Sequence, residues 1–303
     1  MIAKTIKFSK LNQKTKQLIM GYTFIMPWLI GLLAFTAGPI LLSFYQSLTS
    51  YSIFEPGKWI GLYNYQKILT QDKLFWGVVY NTIYYVVLRV PLHIILALLV
   101  AMALNRVSRG KAFFRTAFYL PTVIPMVATA AVWSWILDTQ VGIMKLVFDS
   151  GGFAMPNWFG SVTWAKPAII LMSLWQLGSI MIVFLAGLQD IPNYLYEAVE
   201  IDGGGAWSKF INVTLPMLTP SILFNVVMDI INSFQVFAFS FILTGGGPLN
   251  STLFYVLYIY KYAFSYFEMG YASALSTLLF LLVLILTVFV FKISNKWVVY
   301  DRI

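Results

Sequence analysis

Cysteine is absent from the 303 residues, which excludes disulfides, thiolate nucleophiles and cysteine-bound metals together. Histidine occurs once, at position 93. That argues against a histidine metal site, an acid–base relay or a histidine-dependent serine triad. No G-x-x-x-x-G-K-[ST] run is present, so the chain does not itself cradle ATP phosphates. Gly203–Gly205 and Gly245–Gly247 lack the lysine that such a loop needs and read as turns. Charge is also scarce. Only 10% of residues are charged and 60% are hydrophobic, whereas a soluble domain carries about a quarter charged residues. These absences disfavour an enzyme and point to a lipid bilayer as solvent. The net charge of +9 would suit nucleic acid in a soluble protein, but here it suits lysine and arginine gathered in cytoplasmic loops.

A spanning helix needs roughly 20 apolar residues. Runs at 18–47, 77–104, 113–137, 167–189, 217–244 and 269–293 satisfy this, predicting an all-α integral membrane protein with six crossings in one domain, 1–303. Pro27, Pro39, Pro121 and Pro125 mark kinks. The first run is too long, and lacks the cleavage pattern, for a signal peptide. Lys4, Lys7, Lys10, Lys14 and Lys16 precede the first run, Arg106, Arg109, Lys111 and Arg115 join the second to the third, and Lys292, Lys296 and Arg302 follow the sixth. Both termini are therefore expected on the cytoplasmic side of the membrane. The stretch 251–264 is short and interrupted by Lys261, so it reads as interfacial or re-entrant. No internal repeat or second domain boundary is visible.

On this topology the loop 190–216 faces the cytoplasm and carries Asp190, Glu197, Glu200 and Asp202 against a single Lys209. Asn193 is expected to cap a helix over 194–201 with Leu195, Ala198 and Val199 on one face. Gly203, Gly204 and Gly205 then permit a sharp turn with positive φ. A second helix over 206–213 would end at Pro216, with Thr219 and Pro220 starting the fifth span. The product is a helix–turn–helix on the membrane surface, either a docking knob or an ordinary interfacial pair.

The stretch "EAVEIDGGGAWSKFINVTLP" resembles the EAA loop of ATP-binding-cassette (ABC) importer permeases. "FFRTAFYLPTVIPMVATAAVWSWILD", "FLAGLQDIP", "SFQVFAFSFILTGGGP" and "GYASALS" extend the likeness to the MalF-like, sugar-importing branch. The chain is similar to the six-span form found in lactose, raffinose and glycerol-phosphate importers. The resemblance implies a coupling contact with a cytoplasmic ATPase through Glu197, Ala198, Glu200, Asp202, Gly203, Leu215 and Pro216. It also implies a second homologous permease, two ATPase subunits carrying ATP and Mg, an extracellular solute-binding protein, and no cofactor in this chain. The membrane it implies is that of a bacterial cell. The alternatives are an importer permease for another polar solute such as glycerol phosphate and, behind it, a stand-alone secondary transporter. Nucleic acid is not an expected partner.

Polar residues inside spans are costly and mark function by default. Asn225, Asp229, Asn232, Ser233 and Gln235 lie in the fifth span, Trp175, Gln176 and Ser179 in the fourth, Trp133 and Trp135 in the third, and Asn81, Arg89 and His93 in the second. Amides and aromatic faces suit a sugar, so Asn225, Asp229, Asn232, Ser233, Gln235, Trp175, Gln176 and Arg89 are the pathway candidates, unless the polar stripe only bonds helix to helix. Arg89 either pairs internally, with Asp229 as the obvious partner, or meets a substrate carboxylate. His93 reads first as a hydrogen-bonded structural residue. Gly245, Gly246, Gly247 and Pro248 form an external loop, near the gate by resemblance or a plain turn.

Overall fold

The structure is a computed structural model and describes residues 12–107 and 109–299. Lys4, Lys7, Lys10 and Arg302 of the charge argument lie outside the described residues. Among those described, everything regular is helical apart from one isolated bridge between Thr49 and Trp59.

Four helices are long and apolar enough to cross a membrane. They are α1 (Gln13–Ser47), α3 (Phe75–Arg106), the α11–α12 unit (Thr219–Leu243) and α14 (Met269–Ser294), with the short α2 (Tyr63–Thr70) between the first two. Two further helix pairs qualify only if each bent pair counts as one span. One joins α4 (Lys111–Val123) to α5 (Met126–Ile136) at 101°; the other joins α7 (Ala165–Leu174) to α8 (Gly178–Gln189) at 45°. The described residues thus hold four to six candidate crossings by length and composition. Outward-facing Phe24, Trp28 and Phe35 on α1 and Phe289 on α14 would be untenable in water and are ordinary against lipid.

The 101° bend corrects the expectation of a merely kinked third span over 113–137. Proline disfavours the α conformation in the residue before it, and Ile124 accordingly adopts an extended ψ of 130° ahead of Pro125. Pro39 and Pro216 are absorbed without such a bend. A π turn at Leu33–Ala37 comes just before Pro39, and another at Phe210–Thr214 just before Pro216. The widened turn gives room for a ring that would otherwise clash with the preceding turn. Pro216 therefore does not end its helix, as expected from sequence, but sits within the short segment Leu215–Met217.

The fourth and fifth spans break as well. Between α7 and α8 the Trp175 and Gln176 amides donate three residues back, to Met172 and Ser173. Between α11 (Thr219–Phe234) and α12 (Ala238–Leu243), Gln235 and Val236 do the same. α8 packs closely on α4 at Gly178, where a Cβ would stand 2.5 Å from Thr122 Oγ1 and 2.8 Å from the Tyr119 Cα.

The stretch 251–264 forms α13 (Tyr255–Tyr260) and a π turn, Lys261–Ser265, too short to span. The buried Tyr258 and Tyr271 hydroxyls each donate to Asp72 Oδ2 at 2.6 Å, while Asp72 Oδ1 accepts the Leu74 and Phe75 amides ahead of α3. One carboxylate thereby fastens three segments. The remaining short helices are α6 (Ile143–Ser150), α9 (Asn193–Ile201) and α10 (Ala206–Lys209).

Candidate functional site

All three helix breaks open onto one cavity of about 660 Å³. Ile124 reaches it from the α4–α5 bend, Gln176 from the α7–α8 break, and Gln235, Val236 and Phe237 from the α11–α12 break. Irregular backbone at membrane depth is tolerated where it lines a cavity, so the breaks and the cavity explain each other.

Of the pathway candidates, Arg89, Gln176, Asn225, Asp229, Asn232 and Gln235 line this cavity. Ser233 is buried behind the wall, where its hydroxyl takes a 2.6 Å bond from Arg89 Nη1. Trp175 is not on the wall; its ring stands edge-on to Trp133 at 6.0 Å. Asn81, placed by sequence in the same polar set, is a tie to the loop after α12 instead. Its Nδ2 donates to the Asn250 and Leu253 carbonyls, and its Oδ1 accepts from Lys166. His93 and Ser179 also reach the wall, as do Tyr85, Thr122, Met126, Phe224 and Phe237, which were not legible from periodicity. Thr122 had one available signal, its position between Pro121 and the helix-breaking Pro125.

An ion-pair network organises the polar side. Arg89 Nη1 donates to Asp229 Oδ1 at 2.6 Å, with side-chain exposures of 11% and 3%. Arg89 Nε donates to Ser173 Oγ at 3.2 Å. His93, one turn along α3 from Arg89, sets Nδ1 3.1 and 3.2 Å from the two Asp229 oxygens. The internal pairing of Arg89 is thus present, and the residue still borders the cavity. Among the described residues no group of three or more His, Asp or Glu side chains could hold a metal.

The acidic loop forms an elbow between α8 and α11. α9 ends in a paired turn: Gly204 N–H donates to the Val199 carbonyl at 2.8 Å and Gly203 N–H to the Glu200 carbonyl at 2.9 Å. This Schellman closure needs a left-handed residue, and Gly203 supplies φ +77°. Asn193 does not cap α9. Pro192 holds the cap position and Asn193 is the first helical residue, without a side-chain cap bond. Thr219 likewise begins α11 without capping it; its hydroxyl donates to the Pro216 carbonyl and accepts from the Val299 amide.

Leu195 and Val199 pack inward against the core, whereas Ala198 points out with Glu197, contrary to the single face expected for the three. Glu200 pairs with Lys209 across the turn, and Tyr196 bonds Thr214 at 3.1 Å, which closes the elbow on itself. Asp202, Gly203 and Leu215 are exposed, and Pro216 is half-buried. Ile201 and Trp207 are 86% and 72% exposed, a large apolar display for a loop rimmed by Glu197 and Asp202.

In the loop after α12, Gly245 and Gly246 take φ values of +58° and +96°, and the Gly247–Pro248 bond is cis. Thr252 Oγ1 donates to the Gly247 carbonyl at 2.7 Å, and Ser240 Oγ donates to the Thr252 carbonyl, tying the loop to α12.

Comparison with known proteins agrees with this arrangement. The family model described as binding-protein-dependent transport system inner membrane component matches residues 93–300. The probable ABC transporter permease protein YesP of Bacillus subtilis (strain 168) is 42% identical over 289 residues, covering 94% of each chain. The trehalose/maltose transport system permease protein MalF of Thermococcus litoralis is 32% identical over 289 residues, covering 95% of this chain and 97% of its own. A chain in the crystal structure of a bacterial ABC transporter involved in import of the acidic polysaccharide alginate shares the fold, with a TM-score of 0.80, 24% identity, and coverage of 94% of this chain and 98% of that one. The chain belongs to the binding-protein-dependent transport system inner membrane components, and among them to the carbohydrate-uptake permeases of ABC importers.

Proposed function

We propose that the chain is a six-crossing permease subunit which, with a second homologous permease, forms the passage for a di- or oligosaccharide. An extracellular binding protein delivers the sugar, and two cytoplasmic subunits hydrolyse Mg-ATP. Both termini and the elbow face the cytoplasm, and residues 1–303 act as one transmembrane unit. Glu197, Ala198, Asp202 and Gly203 form the contact with the ATPase, which Glu200, Leu215 and Pro216 support. Gln176, Asn225, Asp229, Asn232, Gln235 and Arg89 border the sugar, and Gly245–Pro248 lies at the outer gate.

One observation carries this reading: the elbow is covalently continuous with both of the broken spans that line the cavity. α8 leads into it and α11 leads out. A push on the elbow is transmitted along two helices whose breaks hold Gln176 and Gln235 against the cavity. Amide side chains and the Tyr85 and Phe237 rings are the partners that sugar hydroxyls and the apolar face of a sugar ring require. The MalF relative is a trehalose/maltose transport system permease protein, and both of those sugars are disaccharides, which supports the class.

Reconstitution tests the proposal. An ATPase and a second permease are expected to co-purify with this chain, and sugar-stimulated hydrolysis is expected to need all of them. Sugar uptake by this polypeptide alone in liposomes would instead establish a secondary transporter.

A further inference from the structure

A cavity of about 270 Å³, separate from the first, lies where the loop after α12 meets the starts of α3 and α7. Lys73, Lys166, Tyr80, Asn81, Asn250 and Ser251 line it. Two ammonium groups therefore share one cleft, and no aspartate or glutamate among the described residues reaches its wall. Lys67 in α2 and Lys145 in α6, by contrast, each have a carboxylate partner, Glu268 and Asp149. Asp72 adjoins Lys73 in the chain but is already engaged. Its Oδ1 accepts the Leu74 and Phe75 amides, and its Oδ2 accepts the Tyr258 and Tyr271 hydroxyls. Lys166 is half-buried, 3.0 Å from Asn81 Oδ1 and over the Tyr80 and Tyr84 rings at 4.9 and 4.7 Å. Amide oxygens and ring faces orient an ammonium but do not cancel its charge. A partly desolvated charge is unfavourable until an opposite one pairs with it.

The adjoining backbone points the same way. Leu249 and Asn250 hold φ at +47° and +60°, and a leucine in the left-handed region is strained. Leu249 is also 89% exposed, so the strain does not serve to bury its side chain within the chain. Strain of this kind collects at ligand clamps and switch segments. An exposed apolar tip beside a charged recess is the pattern of a protein interface, an anchor with a polar rim. Lipid fits less well. On the topology proposed above the cleft opens on the extracellular face, whereas anionic lipid attracts basic groups at the cytoplasmic leaflet. Asn81 joins the cleft to the loop, since its Oδ1 accepts from Lys166 while its Nδ2 donates to the Asn250 and Leu253 carbonyls. A group that re-aims Lys166 is therefore felt by the loop through one side chain.

We propose that this cleft seats an acidic side chain of the extracellular binding protein, with Lys73 and Lys166 receiving its carboxylate and Leu249 packing beside it. The inference rests on the importer reading above and adds where, and through which charges, the binding protein docks. Docking then draws Lys166 to the incoming carboxylate and loads Asn81 and the loop after α12, the segment which that reading puts at the outer gate.

The test uses the assembled transporter in nanodiscs of neutral lipid, with its binding protein titrated in and ATP hydrolysis as the readout. Lys73→Glu and Lys166→Glu are each expected to raise the half-saturating concentration of binding protein about tenfold and to flatten its dependence on salt. Lys145→Glu, a reversal away from the cleft, is expected to shift it by no more than about twofold. A carbodiimide joins a carboxylate to an amine only where the two touch. It is expected to link Lys73 or Lys166 to an aspartate or glutamate of the binding protein, as read by mass spectrometry of the digested complex. If Lys166→Glu does not assemble, Lys73→Glu, at an exposed residue, and the cross-link on the unaltered transporter decide. A half-saturating concentration that either reversal leaves unchanged, an equal shift from Lys145→Glu, or cross-links confined to other lysines overturns the inference alone. A shift that appears only when anionic lipid is added makes the cleft a lipid site and likewise overturns it. A binding protein that never stimulates hydrolysis overturns it together with the importer reading.

Discussion

The three glycines of the elbow make different demands on the chain, and replacing each with alanine separates them. Gly203 stands at φ +77° with no atom within 4 Å of a built Cβ. Gly203→Ala therefore meets no clash and carries only the left-handed backbone penalty, about 1–2 kcal/mol. Gly204 has the opposite problem. Its Cβ would fall 2.5 Å from Val199 Cγ1 and 2.9 Å from the Val199 carbonyl. That carbonyl cannot retreat without losing the bond from Gly204 N–H that closes α9. Overpacking of this kind costs about 1–3 kcal/mol. Gly205 has φ −82° and open space, so Gly205→Ala is neutral or stabilising by about 0.4–1 kcal/mol. A loss of 1–2 kcal/mol lowers the ratio of formed to unformed elbow by about 5–30-fold. In reconstituted transporter the readout is sugar-stimulated ATP hydrolysis and sugar moved per ATP. Gly203→Ala and Gly204→Ala are expected to lose coupling, and Gly205→Ala to match the parent. Gly203→Asn should recover part of the loss, since asparagine tolerates the left-handed region. Gly203→Pro should be worst, because the ring holds φ near about −65°. Equal damage at all three positions, or none at Gly203 and Gly204, would refute the reasoning.

Other expectations concern the membrane interior and the outer face. Arg89→Gln and Asp229→Asn are each expected to destabilise by about 3–5 kcal/mol by leaving a buried charge unpaired, and the double variant to recover most of it; thermal unfolding of the purified complex measures the cycle. Asp72→Ala removes acceptors for two phenols and two amides, and a loss of about 2–3 kcal/mol is expected in the same assay, with Tyr258→Phe costing about half. Burial and the hydrogen bond to Asp72 push the Tyr258 phenol up from its ordinary value. Its contribution is therefore present below that ordinary range and lost only as pH rises past it, so melting from pH 6 to 9 should show no step from this group. The chain lacks cysteine, which makes single-cysteine labelling clean. Asp149→Cys should react with an impermeant maleimide on intact cells, and Ala206→Cys only after permeabilisation.

Much of this architecture could be read from the residues, because lipid imposes a crude rule. A crossing needs a long apolar run, and α3 and α14 lie within two residues of the ends expected for them. The elbow was legible for a similar reason: three glycines between two amphipathic turns leave few alternatives to a reversal. What stayed hidden depends on contacts between segments. Trp175–Leu177 and Gln235–Phe237 contain neither proline nor glycine, so nothing local marks them as breaks. Trp175 seemed suited to a sugar ring, yet it stands edge-to-face with Trp133 and off the cavity wall, and a one-dimensional pattern does not record such a pairing. The caps were misplaced for a comparable reason. Asn193 and Thr219 are good capping residues, but Pro192 and Leu218 occupy the cap positions, and Thr219 turns its hydroxyl to the Pro216 carbonyl.

The central claim is mechanical: the exposed side of α9 receives force from an ATP-hydrolysing neighbour. A photo-reactive amino acid at Ala198, illuminated in the assembled transporter with and without ATP, tests it most directly. The expected product is a covalent adduct with the ATPase subunit whose yield changes with nucleotide. An adduct only with lipid, or none with any ATPase in a complex that still imports sugar, would contradict the claim.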